Sequence, residues 1–252
     1  MRYLVISDIH SNEEAFGAVL DHACEKGWDS ILCLGDLTGY NPNPNDIVDR
    51  IRTLDSEHLV SGVILGNHDQ VVAGHVDPDN FNSKARQVAL WQRSRISEMN
   101  RDYLSALGSA KRVGDSILIV HGSPADPDEY LTLLYQAAMS FRNLMELEVE
   151  ICLNGHTHVP CVFTLNGDLV EKFTISGNHT EISLEPNRRY IINPGSVGQP
   201  RDGNPMASYG ILDTSQKTFT FCRVEYDWRI TREKILREGL PSELGERLGY
   251  GF

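Results

Sequence analysis

Five short motifs rich in aspartate, asparagine and histidine carry the reactive side chains of this chain. Each motif follows an apolar, β-branched run of the kind that forms a buried strand. In order, they are Asp8-Ile9-His10, Gly35-Asp36, Gly66-Asn67-His68-Asp69, His121-Gly122 and Gly155-His156-Thr157-His158. Since residues just past strand ends gather along one edge of an α/β sheet, we expect these side chains to meet there. Their oxygen and imidazole donors suit divalent cations, so the sequence predicts a site for two metal ions.

The spacing within the motifs indicates how two ions would be held. On an extended segment, the first and last residues of Asp8-Ile9-His10 point to the same side and can bind one ion. The same spacing in His156-Thr157-His158 offers two imidazoles, one for each ion. Asp36 has two carboxylate oxygens and suits a bridge, which in two-metal hydrolases holds the ions roughly 3.5–4 Å apart. The remaining donors, an amide oxygen and a further imidazole, belong to Asn67 and His121.

The five motifs, in this order, resemble the pattern of the calcineurin-like metallophosphoesterases: DxH, GD, GNHD, a histidine before glycine, and GHTH. The resemblance extends from Met1 to about Asp213 and so covers most of the chain. The chain looks most similar to the compact prokaryotic phosphatase and phosphodiesterase branch of that family. That branch has two further segments like those at Gly39-Tyr40-Asn41-Pro42-Asn43-Pro44-Asn45 and Asn193-Pro194-Gly195-Ser196-Val197-Gly198.

This resemblance implies a ligand set, a cofactor and a mechanism. The first ion would be held by Asp8, His10, Asp36 and His158, and the second by Asp36, Asn67, His121 and His156. Manganese is the expected ion, with iron, zinc, cobalt or nickel as alternatives, because this donor set accepts all of them. In the family mechanism, a hydroxide that bridges the two ions attacks phosphorus directly, and no covalent protein intermediate forms.

His68 differs from the ligands because it follows Asn67 and should point toward the substrate. By resemblance it is the general acid that protonates the leaving oxygen. We expect Asp69 to support this histidine, either by orienting the imidazole or by favouring its charged form. The alternative is that His68 only binds a backbone carbonyl oxygen.

Three other residues are weaker candidates for substrate binding. Asn12 follows the first motif and can reach a phosphate, although helix capping explains it equally well. Tyr40 follows Asp36 and can form a pocket wall, with a plain turn as the alternative. Arg201 can clamp a phosphate oxygen, or it can form a surface salt bridge with Asp202.

Composition and charge exclude several classes of partner. The formal net charge is −12, and there is no basic stripe, so duplex nucleic acid is not an expected partner. The richest basic cluster, on a predicted helix around 86–101, is interpreted as a solvated face. No apolar run reaches the roughly 20 residues needed to cross a bilayer, so no membrane association is expected. The expected partner is a small phosphorylated substrate, and the oligomeric state is not readable.

A cytoplasmic location is expected from two features. Cleavage of a signal peptide would remove Asp8 and His10, which sit too close to the N-terminus, so we expect no such peptide. The five cysteines have no C-x-x-C spacing and are interpreted as reduced thiols of a reducing compartment.

The order of predicted elements indicates an α/β (α+β) fold with two packed β-sheets flanked by helices, a four-layer α/β/β/α sandwich. Capping by Ser11 or Asn12 predicts a helix through about Lys26, and Asn45 is expected to cap a second through about Leu54. We expect helices in 70–110 and 131–145, followed mainly by strands from Cys161 to Val224. Residues 1–252 would form a single domain, with a possible helical cap contributed by about 70–110. The segment 228–252 looks like one helix and a glycine-rich tail.

The leading hypothesis is a dinuclear metal-dependent phosphoesterase that hydrolyses a small phosphomonoester or phosphodiester. One alternative is a nucleotide or phosphoprotein phosphatase of the same family. The other is a non-catalytic scaffold of the same fold, in which the catalytic histidine is lacking. His68 is present here, together with all seven predicted ligands, and this favours the enzyme.

Overall fold

Twelve strands and eight α-helices alternate along residues 1–252, all of which the computed structural model describes. The strands are β1 Arg2–Ile6, β2 Ser30–Cys33, β3 Val60–Val63, β4 Ala110–Val113, β5 Ile117–Val120, β6 Ile151–Leu153, β7 Cys161–Asn166, β8 Leu169–Thr174, β9 His179–Ser183, β10 Arg189–Asn193, β11 Ala207–Asp213 and β12 Thr218–Val224. The helices are α1 Glu13–Lys26, α2 Pro44–Ser56, α3 Asn67–Ala73, α4 Ser83–Arg93, α5 Glu98–Ala106, α6 Leu134–Glu146, α7 Trp228–Arg237 and α8 Ser242–Glu246. A short 3₁₀ turn, Arg247–Gly249, follows α8.

The strands form two six-stranded mixed sheets. The first has the order β3-β2-β1-β11-β12-β9, and the second has the order β4-β5-β6-β10-β7-β8. Within the first sheet β1, β2 and β3 are parallel, and within the second β5 and β6 are parallel. The five predicted motifs follow these five parallel strands, so their side chains emerge at the same edge of each sheet.

Alternating apolar residues on the strands build three hydrophobic layers. On β1, Leu4 and Ile6 face α1 and α2, whereas Val5 faces the second sheet. Between the sheets, Val5 belongs to the same buried cluster as Ile119 and Phe219. The outer face of the second sheet is covered by α6. Because strand side chains alternate between two faces, this pattern gives the predicted four-layer α/β/β/α sandwich.

The predicted elements agree with the structure in most places. Asn12 caps α1 through its side chain, and the strands β7 and β8 form a hairpin that turns at Gly167-Asp168. The predicted cap Asn45 is wrong, since α2 begins at Pro44 and the Asn45 side chain instead binds the backbone of Arg95 and Ser97.

Two segments differ from the prediction. Residues 70–110 contain α4, α5 and most of α3. Their last residue, Ala110, begins β4, an edge strand that was not predicted from the sequence. The segment 228–252 contains two helices and a 3₁₀ turn rather than one helix. Its apolar residues Ile235, Leu244 and Leu248 pack against α4 and Tyr40 in a fourth buried cluster. The single-domain organisation with a helical cap stays a prediction.

None of the helices combines the length and the apolar character needed to span a bilayer.

Candidate metal centre and adjoining cavity

The predicted ligands lie on loops with unusual backbone geometry. Asp8 and His10 follow β1 with φ of 53° and 49°, and Asp36 follows β2 with φ of 53°. His156 and His158 follow β6 with φ of 66° and 60°. The prediction that Asp8-Ile9-His10 and His156-Thr157-His158 adopt an extended conformation is therefore wrong. Left-handed conformations are costly for residues with a Cβ atom, and they cluster at functional sites where the surrounding structure enforces them.

Glycines in the motifs allow the loops to approach each other. A Cβ atom on Gly66 would overlap the Oδ1 atom of Asp36, and one on Gly155 would overlap the hydroxyl of Ser7. The segment Asn193–Gly198 closes the same region, because the Ser196 hydroxyl donates to the carbonyl oxygen of Asp8 at 2.8 Å. Close backbone packing explains why glycine occupies these motif positions.

Asp8, His10 and His158 form the first cluster, in which the donor atoms all lie within 4.8 Å of one another. The Nε2 atom of His158 is 3.2 Å from Asp8 Oδ1, and the Nε2 atom of His10 is 3.7 Å from the same oxygen. The two Nε2 atoms are 3.0 Å apart. All three side chains are buried.

Asp36, His121 and His156 form the second cluster, again with donor atoms within 4.8 Å. The Asp36 Oδ2 atom is 3.2 Å from His121 Nε2 and 3.6 Å from His10 Nε2, so this oxygen lies between the two clusters. His156 presents its Nδ1 atom, which is 3.1 Å from His121 Nε2. The structure therefore brings six of the seven predicted ligands into two adjoining groups.

The protonation pattern of the imidazoles fits cation binding. The Nδ1 atoms of His10, His121 and His158 lie 2.6–2.8 Å from the backbone carbonyl oxygens of Thr38, Leu34 and Gln199, to which they can donate. A neutral imidazole that donates from Nδ1 has its lone pair on Nε2. Lone pairs of His10 and His158 would then face each other, an arrangement that a shared cation stabilises and that outer hydrogen bonds commonly enforce.

Asn67, the seventh predicted ligand, supports the same conclusion. Its Oδ1 atom is buried and has no hydrogen-bond partner in the protein. A buried polar atom without a partner is costly, and native proteins rarely leave one without a ligand, an ion or water. The residues present therefore fit a pair of divalent cations.

Burial and charge act against each other within the two clusters. Burial alone would raise the pKa of Asp36, but nearby histidines, chiefly His121, outweigh it and hold that pKa well below its usual value. Burial alone would lower the pKa of His121, but the Asp36 carboxylate raises it to about 10. Burial lowers the pKa of His156 to about 3, and the neighbouring His121 adds to this shift. A deprotonated Asp36 and a neutral His156 are the forms that bind metal ions, whereas His121 must release its proton when an ion binds.

His68 is the second residue of α3 and lies beside the candidate metal centre. Its ring is 4.9 Å from that of His10, 4.5 Å from that of Tyr40 and 4.4 Å from that of Phe81. The Nδ1 atom is buried and has no hydrogen-bond partner, so the alternative of a backbone-bound histidine does not hold for that atom. Burial lowers the pKa of His68 to about 4, which makes the imidazole neutral at pH 7 in the absence of ligands.

The predicted role of Asp69 as the partner of His68 is wrong. The Asp69 carboxylate instead accepts hydrogen bonds from the backbone N–H groups of Leu37, Thr38 and Gly66, and from the Thr38 hydroxyl. These contacts join the loop after β2 to the start of α3. Asp69 therefore positions the loops that carry Asp36 and Asn67, and it does not charge the imidazole.

The three predicted substrate-binding residues have different outcomes. Both polar atoms of the Asn12 side chain have partners within the protein. Its Oδ1 atom accepts from the Ala15 N–H, which caps α1, and from the Thr231 hydroxyl. Its Nδ2 atom donates to the Gly198 carbonyl oxygen and the Tyr226 hydroxyl. These contacts support the alternative, helix capping, and substrate binding by Asn12 stays a prediction.

Tyr40 and Arg201 lie beside the metal centre. A guanidinium nitrogen of Arg201 donates to the Tyr40 hydroxyl at 3.1 Å, and the guanidinium lies 5.5 Å from the centre of the Tyr40 ring. The Nε atom of Arg201 is buried without a partner. The alternative salt bridge with Asp202 is wrong, because Asp202 pairs with Arg223.

Sequence reasoning missed several residues around the site. Phe81 and Tyr130 line a cavity next to the metal centre, and neither belongs to a motif or a periodic pattern that marks it. Gln92 is wholly buried in α4, where it follows Val88 by one helical turn. A polar residue on the apolar face of a helix was the available signal for Gln92.

Gln92 holds the loop that carries Tyr40. Its Oε1 atom accepts from the Gly39 N–H at 2.6 Å, and its Nε2 atom donates to the Asn41 carbonyl oxygen at 2.6 Å and to the Ser11 hydroxyl at 3.0 Å. A Cβ atom on Gly39 would clash with the rings of His68 and His10, so this loop packs directly on both histidines.

Sequence and structure comparisons relate this chain to known phosphoesterases. The family profile described as "Calcineurin-like phosphoesterase superfamily domain" matches residues 1–217. An uncharacterized protein of Methanocaldococcus jannaschii is 38% identical over 98% of this chain and 97% of its own length. The phosphodiesterase YfcE of Escherichia coli is 24% identical over 84% of this chain and 88% of its own length. The crystal structure of a metallophosphoesterase from Sphaerobacter thermophilus is 36% identical, with a TM-score of 0.86 over 100% of this chain and 99% of that one.

Proposed function

Because the chain belongs to the calcineurin-like phosphoesterase superfamily and is a phosphoric ester hydrolase, we propose that it hydrolyses a small phosphomonoester or phosphodiester with two divalent cations. The first and second clusters would each hold one cation. Manganese is the proposed metal, since carboxylate, amide and imidazole donors all suit it.

The position of Asp36 is the observation that carries this proposal. Its Oδ2 atom lies within 3.6 Å of one histidine from each cluster, where a single carboxylate can serve both cations. The Oδ1 atom of the same carboxylate accepts a hydrogen bond from the backbone N–H of His68 at 2.9 Å, which fixes the carboxylate in this orientation. When bound, the two cations supply Lewis-acid polarisation of the phosphoryl group and a nucleophile at neutral pH.

The protein side chains supply the remaining chemistry. His68 would give a proton to the leaving oxygen as the P–O bond breaks. A bound phosphate group places negative charge beside the imidazole, which raises its pKa and favours the protonated form. Arg201 would bind a phosphoryl oxygen, while Tyr40 and Gln199 hold its Nη2 atom.

A cytoplasmic location and the absence of duplex nucleic acid and membranes among its partners are also proposed. All five cysteines are free, and four of them are buried. Free cysteines are typical of proteins in a reducing compartment. The net charge of −12 disfavours binding to a phosphate backbone.

Metal removal and reconstitution test the proposed function. The purified protein should bind about two divalent ions per chain, as two-metal sites do. A chelator should abolish hydrolysis of p-nitrophenyl phosphate and bis-p-nitrophenyl phosphate, and added manganese should restore activity on at least one of them. Full activity in protein shown to be metal-free would contradict the proposal.

A further inference from the structure

A cavity of 420 Å³ opens beside the second cluster and His68. Its lining includes Asn67, His68 and His156, together with Tyr40 and several residues of the segments 76–82 and 128–130, Asp79 not among them. An ester whose phosphoryl group lies on the metal centre and whose leaving oxygen faces His68 must extend its alcohol portion into this space. The cavity is within the size range of small-molecule sites.

Aromatic rings are placed where such an alcohol would lie. Phe81 contacts His68 with ring centres 4.4 Å apart, and Tyr130 contacts His156 with ring centres 4.0 Å apart. Tyr130 lines the cavity and is 48% exposed, so its ring is available to a ligand. Aromatic faces at such positions favour flat ring systems over flexible alkyl chains.

Polar groups around the cavity are neutral or negative. Four amide side chains line it: Asn67, Gln70, Asn80 and Asn82. The Asn67 oxygen is a proposed metal ligand and the Asn82 oxygen caps α4, which leaves Gln70 and Asn80 to offer both donors and acceptors. Two carboxylates, Asp77 and Asp128, also line it, whereas no lysine or arginine does. Asp77 pairs with Arg93 at 3.1 Å, but Asp128 has no ion-pair partner. A further anionic group placed beside Asp128, on the side of the cavity away from the two cations, would therefore be repelled by that carboxylate.

We infer that this cavity binds the alcohol portion of the substrate as a flat, uncharged ring system that forms hydrogen bonds, of which a nucleoside is the expected class. The inference rests on the proposed function and narrows its substrate to nucleoside esters of a single phosphate. Nucleoside polyphosphates and acidic phosphopeptides are disfavoured by the carboxylates.

The test compares esters that share the reacting group and differ only in the alcohol. Nucleoside 5′-monophosphates and glycerol phosphate are both alkyl monoesters, and their methyl diesters form the matched pair if the enzyme acts on diesters. We expect kcat/KM of the manganese-reconstituted enzyme to be about 5- to 150-fold higher for the nucleoside ester, the range that stacking of one base supports. Equal kcat/KM values would overturn this inference and leave the proposed function intact, whereas no hydrolysis of any ester would overturn the proposed function.

Substitution of the two aromatic residues tests whether they cause the preference for the nucleoside ester. Phe81→Leu and Tyr130→Leu should each lower the ratio of the two kcat/KM values by about fivefold or more. The matched controls are Tyr135→Leu and Phe173→Leu, two exposed aromatic residues outside the cavity, which should leave the ratio unchanged. A loss shared equally by both esters would mean that Phe81 and Tyr130 only position His68 and His156, and the inference would be wrong.

A charge substitution tests the exclusion of polyphosphates. Asp128→Asn should raise kcat/KM for a nucleoside 5′-diphosphate relative to the monophosphate by about fivefold, because it removes one unpaired negative charge from the cavity. Asp79→Asn removes an exposed charge outside the cavity and is the control. If the wild-type enzyme already prefers the diphosphate, the charge argument is wrong.

Discussion

The two clusters of the metal centre differ in their relation to the substrate. In the first, Asp8 and His10 have no exposed surface, and His158 is held by the Gln199 carbonyl oxygen. In the second, His156 borders the cavity, and its Nε2 atom is 3.1 Å from the Asp128 carbonyl oxygen on the cavity wall. In the proposed dinuclear centre, the first cluster would hold its ion inside the protein, whereas the second would present its ion to the ligand. We therefore expect the second ion to exchange more readily than the first.

Asp36→Asn should have the largest effect, because it removes the charge that both clusters share. Outer contacts of metal sites commonly contribute about 10- to 100-fold to affinity, and loss of a shared carboxylate should weaken both sites by more than this. Metal analysis after dialysis should find far fewer than two ions, together with collapse of phosphoesterase activity. Two tightly held ions in this variant would show that Asp36 is not the bridge.

A matched pair of histidine variants tests the difference between the clusters. His158→Ala should cost the first ion, and His156→Ala should cost the second, so each variant should retain about one ion per chain. Since the second cluster faces the cavity, added manganese should rescue His156→Ala at lower concentration than His158→Ala. The same rescue concentration for both variants would remove the proposed difference between the clusters.

His68→Ala should separate catalysis from metal binding. Metal content should stay near that of the parent, because His68 is not among the proposed ligands. The rate on an alkyl ester should fall by roughly 10²- to 10⁴-fold, and the rate on a nitrophenyl ester should fall clearly less, because nitrophenolate leaves without a proton. Equal losses on both esters with intact metals would indicate phosphate binding instead, and loss of metal would make His68 a ligand.

Gln92→Ala should lower the catalytic rate by less than His68→Ala does, because Gln92 only positions a loop. Removing the side chain leaves the Gly39 N–H and the Asn41 carbonyl oxygen without their partner, so the loop that packs on His68 and His10 loosens. Misplacement of this kind can cost up to about 100-fold in rate, with metal content unchanged. Gln87→Ala, an exposed change on the same helix, is the control and should match the parent.

Asn12→Ala should have the smallest effect on activity and a measurable effect on stability. The side chain caps α1 and makes its contacts within the protein, so its loss should lower the free energy of unfolding by about 1–2 kcal/mol. Activity of the folded enzyme should stay near that of the parent. A large rise in KM without loss of stability would return Asn12 to the substrate site.

The grouping of the candidate ligands was largely predictable because these residues follow strands. Each motif stands behind a short apolar run, and the ends of parallel strands converge in space whatever the intervening sequence does. The backbone conformation was not predictable in the same way. Asp8 and His10 suggested simple alternation, whereas tertiary contacts force both into the left-handed region.

The cavity was not predictable, because its walls come from loops without periodic patterns. Phe81 and Tyr130 are 49 positions apart in the sequence and are brought to one cavity only by the packing of the two sheets. Asp69 was misjudged for a related reason. Asp69 follows His68 in the sequence, which suggested that the two side chains interact. On the first turn of a helix, however, neighbouring side chains point in different directions. The Asp69 carboxylate contacts the loop after β2 instead.

The left-handed backbone of the ligand loops has a practical consequence for making inactive but folded enzyme. Among residues with side chains, asparagine and aspartate adopt this conformation most readily, whereas β-branched residues resist it. Asp8→Asn removes a charge and keeps a shape that the loop accepts, so it should yield a variant able to retain substrate without turning it over. His158→Val would add backbone strain to the loss of a ligand. Substrate trapping from cell extracts is best attempted with the asparagine variant.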